Sequence, residues 1–195
     1  MFAEQQSGLL RMKHKSHWLS YIFAFLPAVF IAGVLGSVIQ TQFNILSISS
    51  IGPSITHSQR LDATWHDLLN FAPLLMIVVA AAFIIALPVA HIIVRLQRRQ
   101  FIAWCAVAGA IGLWVAFLVA DHFAPMPTLI AATRTNVGTF FMILSGFIGG
   151  AVYAWLSRYF RQQLVKRIRA KHHANNASAA NESMPTQTNT TSTPE

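Results

Sequence analysis

Four long apolar stretches, none of them interrupted by Asp, Glu, Lys or Arg, constrain this chain more than any other feature. They run over about 18–39, 73–94, 101–120 and 137–156. As helices, each is long enough to cross a hydrocarbon core about 30 Å thick, which takes roughly 20 apolar residues. Inside a bilayer every backbone N–H and C=O must be satisfied, and a helix does that within one segment. The expected fold is an all-α integral membrane protein, a bundle of four transmembrane helices. Composition agrees, since only 10% of the residues are charged, against about 25% in soluble domains. Mean hydropathy is +0.50, although residues 172–195 are almost wholly polar. A soluble enzyme, an acidic disordered regulator and a disulfide-stapled secreted domain are thereby excluded. Cys105 is the only cysteine, which removes dithiol redox chemistry and any Cys-x-x-Cys zinc pair.

Orientation follows from the basic residues. Arg11, Lys13 and Lys15 precede the first span, Arg95, Arg98 and Arg99 mark the turn between the second and third, and six more follow the fourth. Twelve of the fourteen Lys and Arg thus fall on one side, leaving Arg60 and Arg134 on the other. The positive-inside rule then places both termini in the cytoplasm, N-in and C-in, with loops of about 40–72 and 121–136 outside. Short loops and this charge bias suit a bacterial inner membrane. The first apolar run is longer than a signal-peptide core and is followed by no small-x-small site, so it reads as a retained helix.

The net charge of +8 is a topology signal rather than a sign of nucleic-acid binding. Residues 1–17 form a cytoplasmic segment, 18–157 the transmembrane domain, 158–171 a basic juxtamembrane segment and 172–195 a disordered cytoplasmic tail. In the basic segment Arg158, Arg161, Lys166, Arg167, Arg169 and Lys171 are placed to meet anionic lipid headgroups, each contributing about 1 kcal/mol near the surface. The Asn-x-Ser/Thr matches at Asn176, Asn181 and Asn189 fall on the cytoplasmic side and carry no glycan there.

Membrane helices associate where small side chains let backbones approach. Each span has such a stripe: Ala28, Ala32 and Gly36; Ala82, Ala86 and Ala90; Ala108, Gly112, Ala116 and Ala120; Gly146, Gly150 and Ala154. Pro27 and Pro88 lie inside spans, where proline kinks a helix or frees one backbone acceptor.

The outer loops hold most of the remaining chemistry. In the first, residues of roughly 58–70 predict a short interfacial helix capped by Thr56 or Ser58. Leu61, Trp65, Leu68 and Leu69 give it an apolar face, and Pro73 opens the next helix. His66, Asp67, Asp121 and His122 sit at two mouths of the bundle. They have the donor types of a metal or proton site, without the spacing of any metal motif. The plainer expectation is a set of helix-end groups at the water interface, with Arg134 paired to Asp121 or Asp67. Gln40, Thr41, Gln42, Asn44 and Asn70 form a second polar set, suited to hydrogen bonds between helices or to the lining of a small vestibule. No ionisable side chain falls near the middle of a span, as ion-coupled pumps require; His91 comes closest, one turn from Arg95. No catalytic or cofactor-binding motif occurs. The expected function is a structural or accessory bundle that binds membrane partners, a second copy of itself or lipid. The alternative is a small oligomeric transporter or channel with a polar outer vestibule.

Overall fold

The computed structural model describes the backbone of residues 2–50, 52, 55–97, 100–123, 132 and 135–182. It describes side chains from Ser20 to Ala170 within those ranges, apart from 96, 97 and 168. Four helices make up the described chain: α1 (Phe2–Ser49), α2 (His57–Gln97), α3 (Phe101–Phe123) and α4 (Asn136–Glu182). All four are long and apolar enough to cross a membrane, so the chain is a multi-pass membrane protein by the length and composition of its helices.

Three of the helices outrun the expected boundaries, for one reason. A helix continues until a residue that cannot hold it, and the polar stretches here contain none. Residues 40–49 lack Gly and Pro, so α1 ends only ahead of Gly52 and Pro53. Residues 57–72 lack them too. The segment expected as a separate helix at 58–70 is therefore the start of α2, which passes through Pro73 without a break. Losing one N–H is tolerable in a helix that long. Past the expected start of the tail at 172, α4 stays helical to Glu182, with the next proline at 185. The rest of the tail lies outside the described residues.

Each helix packs on its neighbours in sequence, and α4 closes the ring against α1, leaving α1–α3 and α2–α4 as diagonals. All neighbours are antiparallel. Along α1 and α2, Gly36 meets Leu75 while Tyr21 meets His91. Along α3 and α4, Gly109 meets Gly146 while Cys105 meets Gly150. One end of the bundle therefore carries Ser49, His57, Phe123 and Asn136, termed here the loop end. Arg95 and Arg158 lie at the other, the basic end.

The small-residue stripes pack within the chain. Ala28 and Ala32 are fully buried and take the face of α4 at Gly149. On the other side of α4, Gly150 sits against the Cys105 backbone of α3. The third helix departs from expectation. Its most buried side is Cys105, Ala106, Gly109, Leu113 and Phe117, facing α4, whereas Ala108, Gly112 and Ala116 are half-buried. That second strip faces α2, where Gly112 comes up against Ala82 and Ala86. A helix flanked by two others needs two close-approach strips, and Gly109 and Gly112 serve one each. Phe83 is fully buried and reaches from α2 to the Gly149 position of α4, so an aromatic ring fills the diagonal. Outward, Phe23, Leu26, Phe30, Ile77, Ile85, Phe140 and Trp155 are all exposed. Such a surface is stable only in apolar surroundings.

Candidate functional site

At the loop end, polar side chains tie the helices to one another. Thr41 is buried on α1, and its hydroxyl lies 2.9 Å from Oδ2 of Asp67 on α2 and 2.9 Å from the Ser37 carbonyl. One hydroxyl proton is shared between these two acceptors. The Ser37 hydroxyl donates to the Asp67 backbone carbonyl at 3.3 Å, and Gln42 Nε2 donates to Thr64 Oγ1 at 3.3 Å. Asp67 is thus held through both its carboxylate and its backbone by one turn of α1.

A longer bridge runs from Gln40. Its Oε1 accepts the backbone N–H of Ala132 at 2.8 Å, across 92 residues of sequence. Both residues are buried, so this bond satisfies an amide that would otherwise be stranded at a cost of about 1–3 kcal/mol. The connection between α3 and α4 is pinned to α1 at this point. Next along the chain, Thr135 caps α4, its Oγ1 accepting the Gly138 N–H at 3.1 Å. At the start of α2, Gln59 Oε1 accepts the Thr56 N–H at 3.0 Å, which is half of a capping box.

The expected pairs separate. His66 and Asp67 are consecutive on a helix, so they point about 100° apart. Asp67 turns to α1, whereas exposed His66 lies beside Asn70, whose Nδ2 donates to the His66 carbonyl at 2.9 Å. His122 is exposed at the end of α3 and packs on Phe123, with ring centroids 5.7 Å apart. Asp121 is half-buried and Asn44 exposed. Arg134, the expected partner of Asp121 or Asp67, lies outside the described residues. Among the described residues no three His, Cys, Asp or Glu side chains gather as a metal site would need. Ser37 and Thr64 were not singled out in the sequence. Small hydroxyls in an apolar helix carry no signal until a partner helix faces them.

At the basic end, Arg158, Arg161, Lys166, Arg167 and Arg169 are all exposed on α4, whereas the Lys171 side chain is outside the described residues. The Arg158 guanidinium stands 5.2 Å from the centre of the Phe101 ring, within cation–π range. The same end contains His91, one turn from Arg95. Its ring packs edge-on against one aromatic from each other helix: Tyr21 at 5.1 Å, Phe101 at 5.2 Å and Tyr153 at 5.8 Å. All four helices meet at this imidazole. No family model, curated protein or solved structure matches this chain.

Proposed function

We propose that this chain is a structural or accessory protein of a bacterial inner membrane, a bundle that binds membrane partners, a second copy of itself or lipid. Both termini are cytoplasmic in this reading, and the start of α2 lies at the outer interface. The observation that carries it is the use of the outer polar groups. Thr41, Asp67 and Ser37 direct hydrogen bonds to neighbouring helices and Gln40 directs one to the connection before α4, and the interior beneath them is occupied by Phe83 and by glycine-mediated backbone contact. A transporter needs such groups free to exchange partners along a pathway. The exposed cations of α4 supply the contact with anionic headgroups.

Flux through proteoliposomes tests the function. Proton, potassium and small-solute leak at the level of protein-free vesicles is expected. Leak above that level, lost on Gln40→Leu or Asn70→Leu, would instead make this a small oligomeric transporter with an outer vestibule. Orientation is read by reporter fusions: Ser50 and Pro127 should report the periplasm and Gln97 the cytoplasm. A cytoplasmic signal at Ser50 would reverse the topology.

A further inference from the structure

Among the described residues one buried side-chain atom lacks a hydrogen-bond partner, and its residue lines a cavity. Among the described residues, the only buried side-chain nitrogen or oxygen that makes no hydrogen bond is Nε2 of His91. Its protonation follows from the other ring nitrogen. Nδ1 lies 2.9 Å from the Leu87 carbonyl oxygen, which only accepts, so Nδ1 carries the proton. In the neutral ring Nε2 is then a bare acceptor. A buried acceptor left unpaired costs about 1–3 kcal/mol.

Beside it, a cavity of about 520 Å³ opens sideways between α1 and α2, lined among others by Tyr21, Phe83, Ile84, Pro88, His91 and Tyr153. Such a volume is in the range of sites for small ligands, about 300–1,000 Å³. Pro88, on the same wall, has no N–H to give the carbonyl four residues earlier. Ile84, Pro88 and His91 line the same cavity, and Nε2 is its unpaired side-chain acceptor.

The walls say what kind of donor fits. Apart from His91 and the hydroxyls of Tyr21 and Tyr153 they are aromatic and aliphatic, and no Lys, Arg, Asp or Glu is among the lining residues. An anionic or cationic headgroup would enter unpaired, at a large desolvation cost. An uncharged hydroxyl would not. Tyr21, Phe25, Phe83 and Tyr153 present four aromatic rings, which favour edge-to-face packing with another ring. Exposed Ile22, Ile84 and Ile92 form the rim, so entry is from the apolar surroundings. Tyr21 and Tyr153 both line the cavity and pack edge-on against the imidazole.

We infer that this cavity binds an uncharged, membrane-soluble phenol: an aromatic ring whose hydroxyl donates to His91 Nε2, with its apolar tail leaving past Ile84 into the bilayer. The inference shares with the accessory-bundle reading only the placement of the helices in a membrane. Ion flux through the chain would sink that reading and leave this one standing.

The test uses the full chain in detergent, with 4-dodecylphenol and its methyl ether 4-dodecylanisole as probes and native mass spectrometry as the readout. The two probes differ by one hydroxyl proton. Since one hydrogen bond is worth about 1 kcal/mol, the phenol should bind about fivefold more tightly than the ether. His91→Phe keeps a ring of similar shape without the acceptor, and should bring that ratio to about one. Thermal unfolding of this variant should match or exceed that of the wild type, since a stranded acceptor is gone. Ile84→Trp crowds the rim of the cavity and should weaken both probes, a second check should His91→Phe fail to fold. Equal binding of the two probes by the wild type, a ratio that His91→Phe preserves, or binding that Ile84→Trp leaves unchanged would overturn the inference. Binding of 1-dodecanol as tight as that of the phenol would overturn the aromatic part, and so would a non-aromatic alcohol co-purifying in the cavity.

Discussion

Gly109→Ala tests whether α3 and α4 pack backbone to backbone. A Cβ at this position would stand 2.5 Å from the Gly146 carbonyl oxygen, 3.2 Å from Gly150 Cα and 3.3 Å from its nitrogen. Ordinary contact begins at 3.4 Å, so relieving the shortest contact parts the helices by about 0.9 Å, a gap that forfeits a quarter to a half of each dispersion well along the seam. No side chain can swing away, because all three atoms are backbone. Overpacking of this kind costs about 1–3 kcal/mol. Replacing glycine by alanine in a helix returns roughly 1 kcal/mol. The net expectation is a loss of up to about 2 kcal/mol, as much as a thirtyfold fall in the ratio of folded to unfolded protein. Reversible unfolding in mixed micelles of mild detergent and SDS, followed by tryptophan fluorescence, measures it. Gly52→Ala is the control: the nearest atom to its Cβ would be 3.6 Å away, and the change should stay within about 0.5 kcal/mol. A Gly109→Ala protein more stable than the wild type, showing the helix-propensity gain with no crowding to offset it, would show that α3 and α4 do not approach as described.

Three further outcomes are expected. Gln40→Leu strands the Ala132 N–H and should cost about 1–3 kcal/mol in the same assay, whereas Gln40→Glu keeps an acceptor and should cost less; equal losses would deny the bridge. Thr135→Ala removes the cap of α4 and should cost about 1 kcal/mol, read as a lower thermal midpoint; an unchanged midpoint would deny the cap. Cys105 is fully buried beneath the Gly150 backbone, so maleimide should label it in SDS and leave it unlabelled in the folded protein. Fast labelling of the native state would place Cys105 on the surface.

Much of the architecture is legible in the chain alone, because the bilayer imposes a simple rule. A run of about 20 apolar residues without charge has to be a helix there. Four such runs therefore fix the element type, and the short turn after Arg95 fixes one antiparallel pair. The stripes at Ala28, Ala32, Gly146 and Gly150 are also readable, since only small side chains permit close approach. Helix ends were less so. The polarity of residues 40–49 and 57–72 suggested loop and interfacial helix, yet a helix is ended by Gly, Pro or a cap rather than by polarity.

What the tertiary structure alone decided is which groups meet. Asp67 and His66 look alike as neighbours in sequence, and only the position of α1 makes one a partner of Thr41 and leaves the other beside Asn70. Gln40 and Ala132 lie 92 residues apart, and nothing local in either announces the bond. Gly109 and Gly112 serve different neighbours because the ring closes through α4. His91 follows the same logic: in sequence it is a histidine one turn from an arginine, and in the fold it is where four helices meet. Helix formation in a bilayer depends on composition within one segment. Partnership depends on the relative rotation of two segments, which is set by the packing of all four helices together.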